Sequence, residues 1–202
     1  MYKKPLLQSL WDLAMAPLRL TVLPDEMCAK LGVTSINDER VLFARDFCQG
    51  SLLDIGCGRN SLVNGYAGPG VGVDVFDWGT GAIILKDTSS LPFKDHSFDT
   101  VAFLASLNHI PYRHEALREA VRVLKPGGRI VITMINPFLS TIGHKVLWWY
   151  GEDWDRGMET GEVYGFWTRD MVKMLQDVSM KLTEHRRFIY GLNNLYVFER
   201  ST

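Results

Sequence analysis

Short apolar runs alternate with amphipathic stretches through the middle of the chain. Apolar runs bounded by turn residues predict strands at Ser51–Ile55, Val71–Val75, Ile83–Lys86, Thr100–Leu104 and Arg129–Met134. Apolar positions at helical spacing predict helices over Asn37–Cys48, Arg113–Leu124 and Thr168–Val178, the last with Thr168 as its N-cap. This alternation predicts an α/β fold with a largely parallel, doubly wound sheet and a ligand site at the carboxyl ends of its strands.

Two connections complete the predicted sheet. The end of the chain indicates two strands joined near Gly191–Asn194, which would form an antiparallel edge. Only Phe76–Ala82 separate the second strand from the third, whereas a parallel crossover normally needs a dozen or more residues and a helix. We therefore expect the helix at this crossover to be reduced or missing.

The first residues of the chain form an apolar stretch from Lys3 to Leu23. Asp12, Pro17 and Arg19 interrupt it, so it matches neither a signal peptide nor a membrane-spanning helix. Its apolar side chains recur at helical spacing, at Leu6, Leu7, Leu10, Trp11, Ala14 and Met15. We expect a helix packed on the domain, and the alternative is a helix lying on a membrane surface behind its lysines.

The composition narrows the classes of partner. A chain of 202 residues, 47% of them hydrophobic, can bury one substantial core, so we expect a single domain. Lysine and arginine number 22 and acidic residues 23, so the protein has no overall positive field that would attract a nucleic acid. This balance favours a small-molecule partner. The three cysteines lack CxxC spacing, which argues against a disulfide framework or a metal site and favours a cytoplasmic protein.

A glycine turn follows the first predicted strand, in the segment Leu52–Asn60. Gly56 and Gly58 allow the backbone to turn sharply and approach a ligand, and the following helix offers free N–H groups to it. A dinucleotide fingerprint would need a third glycine where Ser61 stands, so a nicotinamide-dependent oxidoreductase is disfavoured. The turn therefore predicts a nucleotide-like ligand of another kind.

Six short motifs surround this turn between Leu52 and Met134. They are Leu53–Gly58, Gly72–Asp74, Asp87 with Leu91–Phe93, Ser97–Asp99, Asn108–Ile110 and Arg122–Gly128. Their order resembles that of the class I S-adenosylmethionine-dependent methyltransferases, particularly the subgroup that acts on quinones and small molecules. The resemblance implies a Rossmann-like, seven-stranded sheet with an antiparallel C-terminal strand. It also implies S-adenosyl-L-methionine as cofactor, with S-adenosyl-L-homocysteine as product.

The resemblance also implies roles for individual residues. Asp74 would accept both ribose hydroxyl protons, or else be a strand-end turn residue. Asp87 would accept from the adenine amino group beside the backbone of Thr88, or else cap a turn. Asp54 would lie near the ammonium group of the methionyl part. The rest of the predicted cofactor site consists of Gly56, Gly58, Arg59 for the carboxylate, Val75 and Leu104, with Phe76 or Trp78 covering the adenine or filling the core.

Methyl transfer from a sulfonium depends mainly on positioning the acceptor. His109 is the best-placed general base, and the alternative is a histidine with a structural role. The tryptophan-rich segment Leu147–Trp167 predicts a lid that forms the acceptor site and favours an apolar or ring-bearing acceptor. The same tryptophans would also suit a homodimer contact or a membrane-facing patch, and the sequence leaves these alternatives open.

The predicted organisation divides the single domain into four parts. These are an N-terminal helical cap (1–48), a cofactor-binding core (51–134), a lid and acceptor segment (136–167) and a closing helix with strands (168–202). One competing function is a catalytically silent methyltransferase-like domain. Asn60 stands where the family often has a third glycine, and Phe103–Leu104 replace a polar residue of the fourth strand.

Overall fold

The computed structural model describes residues 2–20, 23–135, 137, 163 and 165–200. The helices are α1 (Leu6–Ala14), α2 (Ala16–Arg19), α3 (Asp25–Lys30), α4 (Ile36–Arg45), α5 (Ser61–Gly65), α6 (Arg113–Val123) and α7 (Thr168–Gln176), with a one-turn 3₁₀ helix at Leu107–His109. The strands are β1 (Leu52–Ile55), β2 (Gly70–Asp74), β3 (Ile83–Ile84), β4 (Phe98–Leu104), β5 (Leu124–Ile135), β6 (Met180–Phe188) and β7 (Asn193–Arg200).

These strands form one seven-stranded sheet in the order β3-β2-β1-β4-β5-β7-β6. The first five strands of that order pair in parallel, and β7 pairs antiparallel with both β5 and β6. The order reverses direction at β1, so the carboxyl ends of β1 and β4 open a crevice between them. The predicted Rossmann-like, doubly wound sheet with an antiparallel C-terminal edge is confirmed.

Helices cover both faces of this sheet. One face packs against α6 and α7 through side chains such as Leu117 and Met171, in a cluster that also holds Phe103. The other face packs against α4 and α5, where Ala44 and Leu62 are buried. All four residues of β1 are buried, which explains why its sequence is a continuous apolar run broken only by Asp54. The core is thus built around the strand that leads into the glycine turn.

The crossover from β2 to β3 has no helix, as its length predicts. Eight residues, 75–82, connect the two parallel strands, and they form bends and turns only. The third strand is shorter than the predicted Ile83–Lys86, because only Ile83 and Ile84 pair with β2. Both isoleucines are exposed, which is the result of having no helix over this edge of the sheet.

Two predicted boundaries are wrong. Trp167 occupies the N-cap of α7, and the Thr168 hydroxyl instead shares a 2.9 Å hydrogen bond with the hydroxyl of Tyr196. The fifth strand begins at Leu124, well before the predicted Arg129, because Leu124 pairs with Phe98 ahead of an irregular register. The predicted turn residues Lys125–Gly128 therefore lie within β5 and not before it.

The N-terminal helix exists, but its predicted packing is wrong. Its apolar side chains Leu6, Leu7, Leu10 and Trp11 are exposed, whereas Asp12 is fully buried. The Asp12 carboxylate lies 2.6 Å from Lys4 Nζ and 3.1 Å from the guanidinium of Arg19, and it accepts hydrogen bonds from the amide of Gln8 and the backbone of Thr34. Glu39 of α4 lies 2.6 Å from Lys4 and 2.5 Å from Arg19. This ion network, and not an apolar stripe, holds α1 and α2 against α4.

Candidate functional site

A cavity of about 750 Å³ opens at the carboxyl ends of β1, β2 and β4. The ten residues that the sequence predicts for the site all line it: Asp54, Gly56, Gly58, Arg59, Asp74, Val75, Asp87, Thr88, Leu104 and His109. Residues at or after the carboxyl ends of four strands, β1 to β4, thus line one cavity. Their individual roles stay predictions.

The turn after β1 depends on residues that accept a left-handed backbone. Gly56 and Gly58 have φ angles of 68° and 52°, and Asn60 has 58°. A Cβ on Gly56 would also lie 2.5 Å from the Cβ of Ser106. Both the positive φ angle and this close contact therefore exclude a side chain at Gly56. Asparagine adopts the left-handed conformation more readily than most residues. Asn60 therefore allows the left-handed backbone at this position without a glycine.

Asp54 is the most unusual group in the cavity wall. It is 2% exposed, and its Oδ1 makes no hydrogen bond to any residue that the structure describes. Burial, and to a smaller extent the neighbouring Asp74, raises the pKa of Asp54 to about 7. An unpaired buried carboxylate is unfavourable unless a donor or a cation satisfies it. The cavity at Asp54 is therefore chemically suited to a positively charged group.

Asp74, at the end of β2, organises the loops on either side of the turn. Its Oδ2 accepts from the backbone N–H of Gly58 at 2.8 Å, and its Oδ1 accepts from Val75 at 2.7 Å and Phe76 at 3.0 Å. A carboxylate offers about four acceptor positions, so about one remains, on Oδ2. Asp74 can thus accept one further donor without breaking the bonds that hold the turn.

The far end of the cavity is formed by the loops after β2 and β3. Asp87 accepts from the backbone N–H of Ser89 at 2.8 Å and from the Ser89 hydroxyl, so it caps a turn, and these bonds lower the pKa of Asp87. Thr88 beside it is buried. The rings of Phe76 and Trp78 also line the cavity, with centroids 4.7 Å apart and a tilted contact. This end therefore combines two aromatic faces with polar side chains, which suits a heterocycle that carries hydrogen-bonding groups.

The opposite end lies between the 3₁₀ helix and α4. His109 ends that 3₁₀ helix and is half-buried, while Arg59 is exposed at the rim. Three residues of α4, namely Asn37, Arg40 and Val41, also line the cavity, and the sequence did not identify them. Their helical spacing places them on one face, but the apolar pattern alone does not reveal which face would meet the cavity. Arg40 adds a second cation to the site beside Arg59.

The predicted lid is only partly within the described residues. Trp148, Trp149 and Trp154 lie outside them. Of the parts described, Val163 donates its backbone N–H to the carbonyl of Asn108 at 3.0 Å, and Phe166 packs against the main core. The last residues of the predicted lid therefore lie beside Asn108, the residue that precedes His109.

Comparison with known proteins agrees with this geometry. Residues 53–132, which contain the glycine turn, Asp74, Asp87 and His109, match the family model of a methyltransferase domain. This segment of the chain is therefore similar to a methyltransferase domain. The resemblance read from the six motifs is therefore confirmed, including its quinone-methyltransferase-like character.

Several curated methyltransferases match part of the chain. The demethylmenaquinone methyltransferase of Renibacterium salmoninarum is 32% identical over 93 residues, covering 40% of this chain and 39% of that enzyme. The 27-O-demethylrifamycin SV methyltransferase of Amycolatopsis mediterranei is 50% identical over 46 residues, covering 23% of this chain and 17% of that enzyme. The chain thus spans well under half of the length of these curated relatives.

The fold of the methyltransferase domain is shared with a solved structure of low sequence identity. The 1,6-didemethyltoxoflavin-N1-methyltransferase of Burkholderia thailandensis superimposes with a TM-score of 0.59 at 13% identity, covering 100% of this chain and 94% of that one. The likeness establishes the architecture. Among the residues described here, no helix is long and apolar enough to cross a membrane.

Proposed function

We propose that the protein transfers a methyl group from S-adenosyl-L-methionine to a small-molecule acceptor. The observation that carries the proposal is the buried Asp54 carboxylate in the cavity wall, with an oxygen that no described residue satisfies. The cofactor of this family carries a sulfonium and an ammonium group, and either would stabilise the ionised form of Asp54. A neutral ligand would leave that charge uncompensated.

The rest of the proposed cofactor site follows from the cavity wall. Asp74 receives a ribose hydroxyl at its remaining acceptor position, and Phe76 or Trp78 lies against the adenine. Asp87 keeps its turn-capping bonds, so we assign it to adenine recognition through its second oxygen only. Arg59 neutralises the methionyl carboxylate.

We place the acceptor at the end of the cavity formed by α4 and the residues around His109. Val41, Ile110 and Pro111 supply apolar surface there, and Asn37 and Arg40 supply donors. This combination suits a ring that bears an oxygen, which agrees with the named acceptors of the relatives, demethylmenaquinone among them. When bound, the cofactor supplies an electrophilic methyl group, and His109 accepts the acceptor's proton.

The proposed division of the chain keeps the four parts predicted from the sequence: cap 1–48, core 51–134, lid and acceptor segment 136–167, and closing elements 168–202. The ion network of Asp12 and Glu39 supports the cap as a unit, because it joins α1 and α2 to α4. We also infer a cytoplasmic location, since all three cysteines are free thiols. A protease-protection assay in the source cells tests this location.

Binding and transfer are measured separately to test the proposal. Isothermal titration calorimetry with S-adenosyl-L-methionine should give one site per chain. Asp74→Ala should weaken it by at least about 2 kcal/mol, because both the charge-assisted hydrogen bond to the ribose and the backbone bonds that position the glycine turn are lost. Asp95→Ala, which removes an exposed carboxylate that pairs with Arg122, is the matched control and should bind normally. Equal affinity in the wild type and Asp74→Ala contradicts the ribose assignment.

Transfer is followed by mass spectrometry with reduced demethylmenaquinone as the acceptor. Methylated product and S-adenosyl-L-homocysteine should form together. Normal binding without product from this or other ring-bearing acceptors would favour the second candidate function, a silent binding domain. One sequence feature supports the silent binding domain: Leu104 lines the cavity where the family often has a polar residue. Binding of a nicotinamide cofactor in place of S-adenosylmethionine overturns both.

A further inference from the structure

The N-terminal cap presents a large apolar surface to solvent. Eight side chains form it, with exposed fractions from 43% at Leu31 to 82% at Leu7. They are Leu6, Leu7, Leu10, Trp11, Leu13, Leu18, Met27 and Leu31, and we call them the cap surface. Monomeric proteins rarely expose a contiguous patch of this kind without a function for it.

The polar side of α1 explains why the apolar side points outward. Asp12 lies across the helix from Leu10, and its bonds to Lys4 and Arg19 fix that side against α4. The indole N–H of Trp11 donates to the carbonyl of Leu31 at 3.0 Å, which holds the edge of the cap surface against the end of α3. The helix cannot turn its leucines inward without burying unpaired charges. The exposure is therefore imposed by the fold.

We propose that the cap surface binds the same surface of a second copy of this chain, with α1 packed against α1 about a twofold axis. The area supports this occupant, because eight large side chains of this exposure offer on the order of 800 Å², which is what each partner contributes to a standard interface. Leu6, Leu10 and Leu13 follow the spacing of four and three residues that lets one helix pack along another.

The charges around the cap surface favour a protein partner over a lipid surface. Between Lys4 and Arg19 the chain has one charged residue, Asp12, and it is buried in the ion network. Amphipathic helices that lie on membranes carry a lysine- and arginine-rich polar face toward the headgroups. Here Lys4 and Arg19 are already paired with carboxylates, and the two exposed cations, Lys3 and Lys30, are matched in number by two acidic residues of α3. Asp25 and Glu26 begin α3 and would oppose an anionic membrane.

Sedimentation velocity over a concentration series tests the dimer. The wild type should sediment as a dimer, and Leu7→Glu should weaken dimerisation by about a hundredfold, because a twofold interface contains each substitution twice. Leu7 is so exposed that the monomer should fold normally, which a thermal melt checks. Leu10→Glu is the second variant, and Ile83→Glu, at another exposed apolar edge, is the control that should remain dimeric.

Each other outcome overturns the proposal. A wild-type protein that remains monomeric at all concentrations excludes the interface. A dimer that survives both leucine variants, or that only Ile83→Glu dissociates, places the interface elsewhere. A monomer that floats with phosphatidylcholine vesicles, and loses this in Leu7→Glu, assigns the cap surface to a membrane instead.

Discussion

Two aspartates, Asp12 in the N-terminal cap and Asp54 in the cavity wall, are both almost fully excluded from solvent and have opposite surroundings. Asp12 in the cap is paired with Lys4 and Arg19, whereas Asp54 beside the glycine turn has an oxygen with no partner among the described residues. Burial raises the pKa of Asp12, but hydrogen bonds from Lys4, Thr34 and Gln8 outweigh it and the net pKa is lowered. At Asp54 burial acts without such compensation, and the pKa rises to about 7.

The contrast separates a structural charge from a functional one. In the cap, every part of the Asp12 carboxylate serves to fix one helix against another, so the charge is satisfied by the fold itself. In the cavity wall, the fold leaves the Asp54 carboxylate in need of a counter-charge. A buried carboxylate that is destabilising in the protein alone is a candidate for ligand binding, and one that is fully paired is not.

The largest effect that we expect is on the stability of the cap, and it tests whether Asp12 is a structural charge. Asp12→Asn leaves Lys4 and Arg19 with only the half-buried Glu39 as a partner, and we expect it to lower the free energy of unfolding by about 3 kcal/mol. Urea denaturation measures this loss. Asp95→Asn removes an exposed partner of Arg122 and should change stability by no more than about 1 kcal/mol. Similar values for the two variants would mean that burial of the cap network has been overestimated.

The next effect concerns the pH dependence of cofactor binding. Because a cationic ligand binds the ionised form of Asp54, affinity should increase as pH rises through about 7 and level off above it. Between pH 8 and pH 6 the dissociation constant of S-adenosyl-L-methionine should rise by about tenfold. Calorimetry at several pH values tests this, with Asp54→Asn expected to bind weakly at every pH. A wild-type affinity that is constant over this range would exclude Asp54 as the partner of the cation.

The smallest effect is on stability in the absence of ligand. The folded pKa of Asp54 is above the unfolded value, so its contribution to stability is fully present below about pH 4 and is lost as pH rises through about 7. Asp54→Asn should therefore stabilise the ligand-free protein, and the gain should be about 1 kcal/mol larger at pH 8 than at pH 6.5. Denaturation at the two pH values measures it. An equal gain at both would show that the carboxyl does not titrate near neutrality.

The sequence predicted the cavity residues well because their signals are local. Gly56, Gly58 and Asp74 are adjacent to strands, and strand ends meet at one edge of a parallel sheet. The missing crossover helix was also predictable, since it follows from counting residues between β2 and β3.

What the sequence could not give depends on contacts between distant segments. The outward orientation of α1 is decided by Lys4, Arg19 and Glu39, which meet Asp12 only after folding. An amphipathic pattern indicates two faces but not which one is buried when the polar face can form its own ion network. For the same reason Arg40 was not identified as a cavity residue, because its position depends on how α4 docks beside the turn.

The helix-free loop at residues 75–82 ties the architecture of the sheet edge to the shape of the ligand site. Val75, Phe76 and Trp78 of this loop are walls of the cavity and are also the residues that carry the chain from β2 to β3. An insertion that restored a helix here would move those walls, so loop length and ligand preference must evolve together. Among relatives of this protein, we expect a change in the length of this one connection to change the shape of the cavity at Phe76 and Trp78.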